Sequence, residues 1–266
     1  MNETTKQSEP HNFEEFEEYV NLFTLIPGGT GNGIVLLRKI LDSIQSPSFR
    51  SSLKPVSFLI IGRPGSGRNL VSRALANSLA LEDIRECPAK YLDNGINSSH
   101  FFLDSTPCTA HIITDVQEGK RTESVVWRYL KEGKCNYYNY MDGTFSKVIY
   151  CNGLIIMTAN SKIAVPQTIV KATSHVVELE PYTPEQVKTI MHQILYFMAI
   201  QYQGEAVLNE LIKMNPFNIQ KSIELLKIAV NLMRAELGDY LTVELVNRSK
   251  RLCSEVLPPF GQDIPF

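Results

Sequence analysis

The chain has 266 residues, a formal charge of −2, 44% hydrophobic and 20% charged residues. This is the make-up of a globular protein with a sizeable core, in one or two domains at ~100–200 residues each. No apolar run approaches the ~18 residues of a membrane span and no charged-then-apolar leader opens the chain, so neither a spanning nor a secreted protein is expected.

The five cysteines (Cys87, Cys108, Cys135, Cys151, Cys253) form no C-x-x-C pair and the histidines are scattered. That pattern argues against a disulfide framework or a metal cluster, and for free thiols in a reducing cytoplasm.

In chain order, residues 1–20 set six acids against Lys6, the pattern of a solvated tail. The remainder is only slightly basic, too little to point to nucleic acid. Phe13, Phe16, Tyr19, Val20 and Phe23 recur at helical spacing, so the stretch 1–24 reads as an acidic tail and a short helix. A loop at Leu25–Gly29, a helix-like run at Ile34–Ile44 and a polar linker at Ser46–Lys54 follow. Val56–Ile61 has the form of a buried parallel strand. After a glycine-rich loop, Leu70, Ala74, Leu75, Ser78 and Leu79 sit at helical spacing. Further apolar runs at His111–Thr114, Leu154–Thr158 and Val176–Leu179, with helical segments between them, predict a mainly parallel sheet covered on both faces.

From Thr183 onward only helical patterns appear. Thr183 suits an N-cap, Pro184 the first helical position and Gln186 the third, before an apolar face of Val187, Ile190, Met191, Ile194, Leu195 and Met198. Residues 205–214, 217–236 and 242–253 supply three more helices. The expected architecture is an α/β domain over 25–181, an all-helical domain over 182–257 and a tail over 258–266.

The glycine-rich loop is Gly62-Arg63-Pro64-Gly65-Ser66-Gly67-Arg68-Asn69. A P-loop reads G-x-x-x-x-G-K-[ST]: amides cradle phosphates, Lys reaches the β/γ-phosphates and a hydroxyl holds Mg²⁺. Gly62, Gly65, Ser66 and Gly67 keep the frame, while Arg68 replaces Lys and Asn69 replaces the hydroxyl. Two readings stay open. The loop binds phosphate through its amides and helix N-terminus, or its glycines only allow a tight turn. Asn160, ending the run Leu154–Ala159, would emerge at the carboxyl edge of the sheet, where ligands bind; a strand-ending Asn is also an ordinary turn residue. Asp115 ends another apolar run.

A second candidate spans Trp127–Lys131 and the stretch 134–147. Asp142-Gly143 is a hairpin turn flanked by Tyr137, Tyr138, Tyr140 and Phe145. These aromatics suit a protein interface, stacking on single-stranded bases, or packing against the body.

Strand, glycine loop, a polar strand end at Asn160 and the stretch Leu179-Glu180-Pro181-Tyr182-Thr183-Pro184-Glu185 together resemble the AAA+ ATPases, in particular the RuvB branch. The resemblance runs from about Leu25 to Glu244. It implies a P-loop sheet domain with a helical lid, ATP or ADP with Mg²⁺ as cofactor, and assembly with other AAA+ subunits. The metal would fall to Asn69 and Asp115, the catalytic positions to Asp115 and Asn160, and a partner protein to the 134–147 hairpin.

Against that pattern the motifs are weakened. The acid pair after the second core strand falls on Thr114 and Asp115 or on Asp115 and Val116, so one acid is missing in either register. The arginine-finger region is Thr168–Thr173, where only Lys171 is basic. The lid arginine falls on Phe217. The family's winged-helix domain has no counterpart after Glu244, so any DNA contact would be indirect. The expected function is a nucleotide-binding assembly or adaptor subunit of a recombination or repair complex, impaired in hydrolysis. The alternative is an active motor that borrows a partner's arginine finger.

Overall fold

The computed structural model describes residues 35–40, 56–79, 81, 83–138, 143–150, 153–213 and 219–256. The expected first helix, the polar linker, Tyr140, Asp142 and Phe217 lie outside them. The chain divides into two compact units, the first ending at Pro181 and the second taking over at Tyr182.

The first unit is built on five strands, β1 (Ser57–Ile61), β2 (Asp83–Pro88), β3 (Thr109–Thr114), β6 (Leu154–Ala159) and β7 (His175–Glu178). They lie in the order β2-β3-β6-β1-β7, and every pairing is parallel. β1, β3 and β6 are buried along their whole length. The reason is in the sequence: SFLII, TAHIIT and LIIMTA carry apolar residues on both faces, and a parallel sheet needs both covered.

Leu59, Ile61, Ile113, Ile155, Met157 and Ala159 share one core with Phe102, Val126, Tyr129 and Ile169. Those last four sit on α2 (Gly95–Phe102), α3 (Thr122–Glu132) and α4 (Gln167–Ala172). Helix α1 (Arg68–Ser78) runs from the glycine loop and packs on β1, β3 and β6. Its buried residues are Val71, Ser72, Ala74, Leu75 and Ala76. Each buried Leu, Ile or Phe contributes about 1.5–3 kcal/mol of transfer free energy, so the central strands anchor whatever their ends carry.

β4 (Lys134–Tyr138) and β5 (Phe145–Tyr150) form the expected antiparallel hairpin, separate from the main sheet. Trp127–Lys131 does not belong to it. That segment lies in α3, where Tyr129 is fully buried and its hydroxyl donates to Gly153 O at 2.8 Å.

The second unit packs α5 (Pro184–Phe197), α6 (Gly204–Ile212), α7 (Ile219–Ala235) and α8 (Val243–Val256). Thr183 and Gln186 form the expected capping box around Pro184. Lys250 Nζ bonds Glu210 Oε1 at 2.5 Å, tying α8 to α6, and holds the Glu210 carboxyl below its ordinary pKa. One departure from the all-helical expectation is a two-residue parallel ladder, β8 (Gln201–Tyr202) on β9 (Tyr240–Leu241). Elements this short carry no periodic signal.

Candidate phosphate-binding site

β3, β6 and β1 are neighbours, so the segments after them open on one carboxyl edge. The register sets Ile61 beside Ala159 and Ile113 beside Met157. The glycine loop, Asn160 and Asp115 therefore share that edge, as the sequence predicts.

The loop begins with Gly62 N donating to Ala159 O at 3.0 Å, and closes with Ser66 N donating to Arg63 O at 3.0 Å. A Cβ on Gly62 would stand 2.3 Å from Ser66 Oγ, so any other residue there would push the Ser66 hydroxyl out of its place in the loop. Gly67 is the N-cap of α1 at φ 76°, in the left-handed region. No side chain caps α1, which leaves its first amides toward the loop.

Arg68 lies in the first turn of α1. Its Nη1 is 3.3 Å from Asp115 Oδ1, an ion pair with the Arg68 side chain 11% exposed. Burial lowers the guanidinium pKa from its ordinary value, and the neighbouring Asp115 opposes that shift. Asp115 itself has φ 52°, unusual for a residue with a side chain. Thr158 on β6 holds it there. Asp115 N donates to Thr158 Oγ1 at 3.1 Å, and Val116 N to Thr158 O at 2.9 Å. The Thr158 hydroxyl in turn points to Asn69 Oδ1 at 3.5 Å. Fully buried Thr158 thus joins two site residues. Its role is not apparent from the sequence; the only sign of it is a hydroxyl in an otherwise apolar run.

Three buried side-chain atoms on these segments lack a hydrogen-bond partner: Ser66 Oγ, Gln117 Oε1 and Asn160 Oδ1. An unsatisfied buried polar group costs about 1–3 kcal/mol. Their convergence on one sheet edge, beside uncapped amides, fits a polar anionic ligand. Phosphate matches the amides, the Ser66 hydroxyl and the Arg68 guanidinium. Lys171, the only base in the Thr168–Thr173 region, is an exposed residue of α4.

The hairpin residues divide. Tyr138 is held on the body: its amide donates to Ser99 Oγ at 2.9 Å, and a Cβ on Gly95 would meet its ring at 3.1 Å. Phe145 stacks edge-on against Tyr138 at 6.2 Å yet stays 57% exposed. Tyr137 lies under Lys147 Nζ, 5.7 Å from the ring centre. At the hairpin base a cavity of about 200 Å³ is lined by Asp93, Arg121, Arg128, Lys134 and Cys135, among others.

The sheet order, the glycine loop after β1 and the following helical unit define the fold of a P-loop AAA+ module. Among solved structures, the chain is similar to the RuvB Holliday junction branch migration motor of Thermotoga maritima. The TM-score is 0.68 at 15% identity, covering 92% of this chain and 76% of that one. It is also similar to the Aeropyrum pernix Orc1 protein in complex with DNA, with a TM-score of 0.56 at 15% identity over 90% of this chain and 73% of that one. For the Orc2 protein of the same organism (ADPNP–ADP complexes) the values are 0.57, 14%, 82% and 66%. At such identities the likeness is one of fold. No protein-family model and no curated protein matches the sequence.

Proposed function

We propose that this chain is an AAA+ protein that binds a nucleoside di- or triphosphate at Gly62–Asn69 without turning it over at motor rates. It would serve as an assembly or adaptor subunit of a DNA-processing complex. The observation that carries the reading is the Arg68–Asp115 pair in a loop that otherwise keeps its phosphate cradle. The residue in the lysine position is engaged by the only acid at the end of β3. A nucleotide brings its own phosphates and reactive anhydride. The chain would supply amides and Ser66 to hold them, and Asn160 at the sheet edge to orient them.

Hydrolysis needs more than holding. An arginine finger alone is worth ~10³–10⁵ in rate, and the segment where it is expected offers only exposed Lys171. The DNA-processing setting is supported by the fold shared with a Holliday junction branch migration motor and with a protein solved on DNA. Exposed Phe145, Tyr137 and the basic cavity at the hairpin base support a protein partner docking on 134–147.

The test is calorimetric titration of the purified chain with ADP and ATP, followed by a steady-state phosphate-release assay. Binding without turnover is expected, with Arg68→Ala weakening the binding. Steady ATP turnover that Arg68→Ala abolishes would overturn the reading.

A further inference from the structure

We propose that the site takes its nucleotide in the metal-free form, because the one carboxylate at the expected cation position is already paired with Arg68. This rests on the nucleotide reading above and goes beyond it. In a P-loop the cation is held by a hydroxyl on the first turn of the helix and by acid after the neighbouring strand. Here the hydroxyl position is Asn69, whose Oδ1 faces the Thr158 hydroxyl at 3.5 Å. The acid is Asp115 alone, with Oδ1 3.3 Å from Arg68 Nη1 and 3.3 Å from Gln117 Nε2. Thr114, the last residue of β3, is buried and carries no charge. The next acid along, Glu118, is paired with Lys90 at 2.9 Å. Among the described residues no group of three or more His, Cys, Asp or Glu comes together to hold a metal ion.

A divalent cation at Asp115 would stand beside a fixed guanidinium, and like charges at that range repel. In nucleotide sites Mg²⁺ keeps several waters and takes one or two carboxylates beside the phosphates, so the state of the single carboxylate here decides the matter. One carboxylate already shared with Arg68 is a poor donor set. The phosphate side does not have this conflict. Ser66 is 3% exposed with an unpartnered Oγ, inside the loop that a Gly62 Cβ would fill. Asp115 stays on Arg68 as phosphate arrives, and its negative charge weighs against the incoming anion.

The experiment is calorimetric titration of the full chain with ADP in EDTA and in MgCl₂, for the wild type and Asp115→Asn. Far-UV circular dichroism and thermal melts check that the variant is folded. Wild-type affinity in EDTA should equal or exceed that in MgCl₂. Asp115→Asn releases Arg68 and should tighten ADP binding in EDTA by roughly threefold to tenfold, a gain of about 0.7–1.4 kcal/mol. Binding tenfold tighter in MgCl₂, or a variant that loses affinity only when Mg²⁺ is present, would make Asp115 a metal ligand and overturn the proposal. Heat from neither buffer would remove the nucleotide reading itself, and this inference with it.

Discussion

His111 is one residue whose environment sets a measurable property of the protein. It is fully buried on β3 among Phe101, Phe102 and Tyr129, with Nε2 2.8 Å from Ser105 Oγ. Burial, with a smaller push from Arg85, lowers its pKa to about 3. The folded protein therefore keeps His111 neutral where the unfolded chain, with an ordinary value near ~6.5, takes up a proton. Between those two values the unfolded state binds more protons, so stability is full above ~6.5 and falls as the pH drops toward the folded value. From pH 7 to pH 5 this residue should cost about 2 kcal/mol. Urea unfolding of wild type and His111→Gln at the two pH values checks it. The variant's pH dependence should be shallower by that amount, and parallel curves would refute the assignment.

At the scale of elements, the start of α5 offers a clean test. Gln186 N donates to Thr183 Oγ1 at 3.3 Å, while Thr183 N donates back to Gln186 Oε1 at 2.9 Å. Replacing an N-cap threonine by alanine costs about 1 kcal/mol. Thr183→Ala should therefore speed hydrogen exchange of the Gln186 amide roughly fivefold. An unchanged rate would mean that the cap is not holding the helix. This cap was legible because T-P-E-Q states its own geometry. The central strands were legible for a similar reason, since SFLII and LIIMTA are short, apolar and β-rich.

β2 was not legible. DIRECP is polar, and only its edge position and its pairing from Asp83 to Pro88 with β3 make it a strand. Nor did the sequence separate Trp127–Lys131 from the hairpin, because its aromatics suit a surface as well as a core. The candidate site shows the same limit. Gly62, Gly67 and Arg68 were readable from spacing, and Asp115 and Asn160 from their places at the ends of apolar runs. The Arg68–Asp115 pairing and the role of Thr158 depend on which strands are neighbours, and β3 and β6 are far apart in sequence.

For the whole molecule, the sheet order determines where rigidity lies and so where a ligand can be held. β6 lies between β3 and β1, and β1 between β6 and β7, so these strands have both backbone edges paired. They are also buried on both faces. β2 and β7 are the outer strands, with exposed or half-buried side chains along most of their length. Amide exchange from such a sheet follows local opening, which costs most where pairing and burial coincide. The slowest amides should therefore lie in Phe58–Ile61, Ala110–Ile113 and Ile155–Thr158. β2 and β7 should exchange faster, and the β4–β5 hairpin faster again, since its strands ladder only with each other and Ser99 ties just one end of β4 to the body. Native-state exchange read by mass spectrometry or NMR tests the order. Hairpin amides as slow as those of β6 would overturn this order. If the order holds, Gly62, Asp115 and Asn160 hang from the three most protected strands. The loop can then present its amides to phosphate with little reorganisation, while β5, with exposed Phe145, keeps more freedom than the sheet.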